Sequence, residues 1–400
     1  MVEFIDLKAQ QKRIRPQLWN RISSVLEHGR YILGPEVEEL ETKLAAFTGM
    51  RHCLGCSSGS TALDLVLTAW ELGPGDAVLT TPFTFVATAE SIAKTGATPV
   101  FVDIDPLTLN MDADRLEDAL AALRDGDASR HPLPLPAKKG GLIPRAILPV
   151  DIFGRPADYD RILATAKHHG LKVLEDAAQG FGGRWHDLPL GGCGCDAAAT
   201  SFFPTKPLGC YGDGGAVFTD DDALADRIDS LRYHGRASKK EKYENVRPGM
   251  NGRLDTIQAA ILLAKWELFP EEIKLRNAVA ARYESLLREA GLQERGLLPP
   301  PIPAGDGDLC IWAQYTVQLP QNSDRAAVIE TMKSRGVPAA VHYPKGLHKQ
   351  KAFAALAYGD GDFPVTEHAT ARVLSLPMHP YLEEEQQCEV VSALAEALAS

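Results

Sequence analysis

The stretch KVLEDAAQG, Lys172 to Gly180, decides how the rest of the chain is read. Two apolar residues, Val173 and Leu174, run into two acids and then into small residues. The pattern reads as a short buried strand over Lys172–Glu175 that stops at Asp176 and turns at once. Strands buried on both faces belong to parallel sheets, whose ligands sit beyond the carboxyl ends of the strands. Asp176 therefore faces a ligand crevice, although an acid at such a turn commonly serves only as a helix cap.

Outward from this point the same rhythm repeats. Ala77–Thr80, Pro99–Ile104, Ala146–Phe153, Ala197–Phe203 and Ala216–Thr219 read as buried strands. Val86–Lys94, Ala113–Leu123 and Tyr159–His169 carry helical periodicity between them. Strand and helix in alternation predict an α/β fold with a mostly parallel sheet and helices on both faces. A helical stretch follows from Leu254 to Leu287, interrupted near Pro270. The proline- and glycine-rich Leu297–Gly307 reads as an exposed linker. New strands are expected at Ile311–Leu319, Ala339–Tyr343 and Val373–Leu376, with a last helix over Leu382–Leu398. These make a smaller C-terminal α/β domain over 259–400, after a large domain with an N-terminal arm over 1–258. Leu133–Leu142 reads as a surface insertion.

Lys206 gives Asp176 its meaning. It lies in SFFPTKPLGCYGDGG, 201–215, directly after another strand, and Pro207 disfavours helix at the lysine itself. A lysine amine titrates near 10.4 and is a poor nucleophile at neutral pH unless desolvated. In a partly dry pocket it condenses with an aldehyde and afterwards carries protons. An acid and a lysine at successive strand ends suit pyridoxal phosphate (PLP), whose ring nitrogen needs a carboxylate to stay protonated. Gln179 is then placed to reach the ring hydroxyl. Gly209, Gly212, Gly214 and Gly215 let backbone pass close to a ring. The turn Cys56-Ser57-Ser58-Gly59-Ser60-Thr61 opens an amphipathic helix, Ala62–Glu71, and forms a phosphate cradle of free N–H groups. Ser201 adds a hydroxyl, and Phe85 is placed either to stack on the ring or to fill the core.

The bulk numbers narrow the function classes. The 400 residues are 45% hydrophobic and 24% charged, with a formal net charge of −11. Such a surface repels nucleic acid and anionic membranes. No apolar run approaches the roughly 20 residues of a membrane helix, and MVEFIDLK at the start lacks the design of a signal peptide. A cytoplasmic location is expected. The seven cysteines suit reduced thiols, and neither Cys53/Cys56 nor Cys193/Cys195 has the companions of a zinc site, so no metal is expected.

Taken together, the residues resemble the DegT/DnrJ/EryC1/StrS sugar aminotransferases nearly end to end. The matching stretches are FIDLKAQ (4–10), GRYILGPEVEELE (29–41), the Ser-Gly-Ser-Thr turn, TPFTFVATAESI (81–92) and PVFVDID (99–105). EDAAQGFG (175–182), SFFPTKPLGCYGDGGAVFT (201–219), NGRLDTIQAAIL (251–262), AVHYP (340–344) and SLPMHPYL (375–382) follow in order. The resemblance implies a fold-type I, aspartate aminotransferase-like PLP transferase. It makes Lys206 the Schiff-base lysine and Asp176 the partner of the ring nitrogen. Gln179 contacts the ring oxygen, Ala178 and Phe85 sandwich the ring, and Ser60, Thr61 and Ser201, beside Gly59, bind the phosphate. Asn251 is similar to an asparagine that reaches the phosphate across a homodimer interface.

Within the family, the likeness is strongest to aminotransferases that act on UDP-2-acetamido-2-deoxy-3-oxo-glucuronate, with glutamate as donor, for bacterial surface polysaccharides such as O-antigen. Arg253, His342 and Tyr343 match positions that face the sugar or its carboxylate, although an interface ion pair and core packing would equally use Arg253 and Tyr343. The rival readings are amination of a 4-keto-6-deoxy nucleotide sugar, a PLP sugar dehydratase, and a silent binding protein. Lys206 opposes the dehydratase, and Lys206, Asp176 and Gln179 together oppose the silent protein. GCYGDGG is no dinucleotide fingerprint, because it opens onto a strand rather than a helix.

Overall fold

The computed structural model describes residues 2–238, 243–303 and 305–399. Its strands in chain order begin with β1 (His52–Cys56), β2 (Asp76–Thr80), β3 (Thr98–Phe101), β4 (Ile143–Leu148) and β5 (Lys172–Asp176). A small hairpin of β6 (Arg184–Trp185) and β7 (Leu188–Pro189) precedes β8 (Ala197–Ser201) and β9 (Gly215–Thr219). Seven of these form one sheet in the order β1-β9-β8-β5-β4-β2-β3. From β8 to β3 the pairing is parallel, and β9 alone runs against its neighbours β1 and β8. The reason is local. Residues 202–214 hold Pro204, Pro207 and three glycines and form no helix, and a parallel return needs a helical crossover. Six strands therefore end on one edge of the sheet.

The helices of this part are α1 (Leu7–His28), α2 (Pro35–Thr48), α3 (Gly59–Ala69), α4 (Val86–Lys94), α5 (Ala113–Asp125), α6 (Leu135–Gly140), α7 (Tyr159–His169) and α8 (Asp222–Leu231). Asp112, Asp158 and Asp221 cap α5, α7 and α8 with their side chains, and left-handed glycines 126 and 170 end α5 and α7. Leu63, Val66 and Ile228 pack on one face of the sheet, and Leu116, Leu120 and Ile162 on the other. The expected surface insertion at 133–142 is more than surface. It folds as α6, and its flanking Leu133 and Leu142 are buried against the α5 face. β1 escapes a sequence reading because Gly55 breaks its apolar run.

Beyond this sheet come α9 (Thr256–Trp266) and α10 (Phe269–Glu289), with Pro270 in the first turn of α10 rather than as a kink. Residue 258 lies inside α9, which packs against α1 and α2. Next in the chain are β10 (Tyr315–Gln318), α11 (Arg325–Ser334), α12 (Pro364–Arg372), β11 (Val373–Leu376) and α13 (Glu384–Ala397). β10 and β11 pair antiparallel over a second core that includes Tyr283, Leu287, Val317, Leu374 and Leu394. The strand expected at Ala339–Tyr343 shrinks to one bridge, Ala340 to Ser375. Pro338 and Pro344 remove ladder donors on either side of it.

A buried carboxylate joins the sheet to α12. Asp103, just past β3 and 5% exposed, accepts from Val365 N (3.0 Å), Thr366 N (2.9 Å) and Thr366 Oγ1 (2.7 Å) at the start of α12. Asp103→Ala strands those donors in a buried place. The expected loss is about 2 kcal/mol of stability by urea unfolding, against about 1 kcal/mol for Thr366→Val. An Asp103→Ala protein as stable as its parent would contradict this role.

Candidate active site

The common edge of the sheet gathers the site. Ser58–Ser60 follow β1, Thr84, Phe85 and Thr88 follow β2, Asp176, Ala178 and Gln179 end β5, and Ser201, Phe203 and Lys206 end β8. With Gln314, His342 and Tyr343 from the C-terminal part they line one pocket of about 490 Å³. Ser58 and Lys206, 148 positions apart, thus meet because parallel strands end together.

Lys206 and Asp176 set its electrostatics. Burial lowers the Lys206 amine to about 8, while the charge of Asp176 pulls the other way. Burial also raises the Asp176 carboxyl, opposed by hydrogen bonds from Thr88 Oγ1 (2.9 Å) and Ala178 N (3.2 Å) and by the charge of Lys206. Gln179 is fixed at both ends of its amide. Its Oε1 accepts from Phe153 N (2.9 Å) and its Nε2 donates to Tyr343 Oη (3.2 Å), which leaves a second N–H of the amide for a ligand. The Tyr343 ring lies 6.4 Å from that of Phe85, and burial raises its hydroxyl. His342 Nδ1 sits 2.9 Å from Ser375 Oγ, and burial, then the charge of Lys206, lowers its imidazole.

The cradle depends on glycine. A Cβ on Gly59 would stand 2.6 Å from Ser201 Cβ, so only glycine lets the first turn of α3 touch the end of β8. Ser58 caps α3 by accepting from Thr61 N (3.0 Å).

Ten of the expected site residues line the pocket: Lys206, Asp176, Gly59, Ser60, Phe85, Ala178, Gln179, Ser201, His342 and Tyr343. Thr61, Asn251 and Arg253 do not. The Thr61 hydroxyl is engaged with Ser57 Oγ (2.9 Å) and Ser58 Oγ (3.0 Å). Asn251 is exposed and accepts from Arg253, whose guanidinium lies 4.7 Å over the Tyr233 ring.

Comparison with known proteins gives this geometry its context. The model of the DegT/DnrJ/EryC1/StrS aminotransferase family matches residues 12–395. The UDP-2-acetamido-2-deoxy-3-oxo-D-glucuronate aminotransferase of Pseudomonas aeruginosa is 46% identical over 96% of both chains. A family aminotransferase structure from Brucella abortus superposes with a TM-score of 0.88 at 43% identity, over 98% of each chain. S. venezuelae DesV, solved with a ketimine intermediate, superposes at 0.88 with 36% identity, over 100% of this chain and 99% of its own. The chain belongs to the DegT/DnrJ/EryC1/StrS aminotransferase family.

The residues of this family member fit the cofactor that the family implies. Asp176 is a buried carboxylate that meets neutral donors, and a protonated ring nitrogen would supply a cationic partner. At the α3 turn Thr61 N is taken by Ser58, while the N–H groups of Gly59 and Ser60 remain for a phosphate. The seven cysteines are free and six are buried, and among the described residues no group of three or more metal-ligating side chains comes together.

Sequence reasoning missed Thr88 and Gln314. Thr88 carried a signal, a polar residue on a helix face otherwise turned to the core, four positions after Thr84, whose hydroxyl it meets at 3.1 Å. Gln314 carried none, since only the path of the chain brings it back.

The Lys206 value has a direct consequence. A lowered amine is unprotonated above about 8, so uptake of pyridoxal phosphate by the apoprotein should rise with pH through that midpoint. Ordinary lysines would give about 10.4. Asp176→Asn removes the charge that favours the protonated amine, and the midpoint should fall. Stopped-flow absorbance reads both, and an upward move in the Asn variant would contradict the assignment.

Proposed function

We propose that the protein is a PLP-dependent aminotransferase that moves an amino group from glutamate to C3 of UDP-2-acetamido-2-deoxy-3-oxo-glucuronate. The observation that carries the chemistry is Lys206, lowered to about 8, in one pocket with buried Asp176 and a tethered Gln179. The sugar rests on the 46% identity to the Pseudomonas aeruginosa enzyme.

Pyridoxal phosphate, when bound, supplies an exchangeable aldehyde carbon and a ring that withdraws electrons from the carbon being deprotonated. Lys206 is the covalent anchor and then the base. With its amine near 8, a useful fraction is unprotonated at neutral pH, so Nζ would be free to take up the proton of the donor's α-carbon and to give it up again. Asp176 holds the ring nitrogen protonated, and the free N–H of Gln179 meets the ring oxygen. Ser60, Ser201 and the backbone at Gly59 would hold the phosphate, while Phe85 and Ala178 would flank the ring. His342 and Tyr343 face the sugar.

Asn251 and Arg253 act across a homodimer, each protomer completing the other's pocket. Support comes from their position outside their own pocket and from Trp19, Tyr31 and Ile32, large apolar side chains exposed on the single chain that a second copy would cover. Among the described residues no helix is long and apolar enough to cross a membrane. We place the reaction in the cytoplasm, in the assembly of a surface polysaccharide such as O-antigen.

Half-reactions test this reading. Glutamate should bleach the visible band of the cofactor-loaded enzyme, and UDP-2-acetamido-2-deoxy-3-oxo-glucuronate should restore it. A UDP-4-keto-6-deoxy sugar should not. Recovery with the 4-keto sugar instead would move the reaction to C4 and overturn the substrate. Lys206→Ala should lose the band and about a thousandfold or more in turnover, as removal of a general acid–base does. A band unchanged in that variant would overturn the mechanism.

A further inference from the structure

Behind the pocket wall lies a second, much smaller cavity. Its volume is about 20 Å³, and Phe153, Arg155, Cys310, Trp312, Gln314 and Thr316 contribute to its lining. That is room for roughly one water molecule. Gln314 lines both this cavity and the substrate pocket, so it stands in the wall between them.

Two polar atoms here are buried without a protein partner: Arg155 Nη2 and Gln314 Oε1. The Arg155 side chain belongs to a residue only 9% exposed, and it makes no ion pair among the described residues. Burial lowers its guanidinium, and Cys310, Asp105 and Asp308 oppose that only through space, without a hydrogen bond. A guanidinium stays charged in proteins and has donors but no acceptor. The field of that unpaired cation favours the amide oxygen of Gln314 on its own side. One water that accepts from Nη2 and donates to Oε1 fits both the cavity and the two unsatisfied atoms. The Gln314 Nε2 group is then directed toward the substrate pocket as a donor.

The backbone holds this arrangement. Gly154 has φ +94°, and a Cβ there would lie 2.6 Å from Ile311 Cγ2 and 2.9 Å from Trp312 N. Ile311 N donates to Gly154 O (3.0 Å) and Gln314 N to Phe153 O (3.4 Å). Phe153 N in turn donates to Gln179 Oε1. One turn thereby sets both glutamines, one beside the cofactor position and one farther out.

We propose that Gln314 is a specificity-determining residue, presenting its N–H groups to the carboxylate of a uronate-type nucleotide sugar, with Arg155 as its positioning residue through one buried water. The inference rests on the proposed function. A cation one water behind the amide favours an anion in front of it, and under the proposed function the carboxylate is the anion that the sugar part of a uronate carries.

The test uses two unreactive ligands, UDP-N-acetylglucosaminuronic acid and UDP-N-acetylglucosamine, which differ only in carboxylate against hydroxymethyl. Calorimetry with the cofactor-loaded amine form gives the affinity ratio of acid to neutral sugar. Wild type should favour the acid. Gln314→Glu replaces donors with a negative charge and should cut that ratio by about tenfold or more. Gln314→Met and Arg155→Met should each cut it severalfold, with the absorbance of the bound cofactor unchanged. If Gln314→Glu does not fold, Gln314→Met carries the same comparison. A wild type that prefers the acid while every folded variant keeps the ratio overturns this inference and leaves the aminotransferase reading intact. A wild type with no preference for the acid overturns the uronate substrate and this inference with it.

Discussion

The backbone of Gly59 lies against the end of β8 at a separation that no side chain could occupy. A Cβ there would meet Ser201 Cβ at 2.6 Å, and one on Gly215 would meet the carbonyl carbon of Ser58 at 2.5 Å. These approaches lock the α3 turn, β8 and β9 together without intervening side chains. The open N–H groups of α3, the Ser201 hydroxyl and the loop to Lys206 are thereby held on one rigid floor. A cradle built from backbone does not rearrange to suit what it binds, and so it orients a ligand at little entropic cost.

On that floor the charges work against water. Asp176 and Lys206 are each pushed toward neutrality by burial and pulled back toward charge by the other. Neither tendency is useful alone. A carboxylate in water would barely influence a ring nitrogen, and a lysine at its ordinary value would rarely be a free amine near neutrality. Thr88 moderates the first group, since its hydrogen bond, with that of Ala178 N–H and the charge of Lys206, opposes the rise that burial imposes on Asp176.

Much of this was legible before any coordinates. The apolar runs before Asp176 and Lys206 mark strands, and parallel strands place their following residues on one edge, so the pair could be brought together from pattern alone. Val86–Lys94 and Tyr159–His169 form the helices that periodicity predicts. What stayed hidden depends on long-range placement. β1 carries a glycine and too short an apolar run, and Ala339–Tyr343 has strand composition but flanking prolines that forbid a ladder. The α6 segment has a polar, loop-like sequence, and only its flanking leucines reach the core. Gln314 had no local signal, because its meaning comes from Gly154, some 160 residues earlier, being small enough to let its segment in.

That last dependence separates two tasks within the proposed enzyme. The residues assigned to proton transfer and cofactor binding come from β1, β2, β5 and β8, where sheet register fixes their spacing. His342, Tyr343 and Gln314 arrive from the chain beyond the linker, braced by Ser375, Gln179 and the Phe153–Gly154 turn. Changes in that second set can alter which sugar fits without disturbing the register that holds Lys206 near Asp176. The turn at Phe153–Gly154 is the exception, since it touches Gln179 on one side and Gln314 on the other. A displacement there would move a cofactor contact and a sugar contact together, which couples reaction to substrate choice at that one corner.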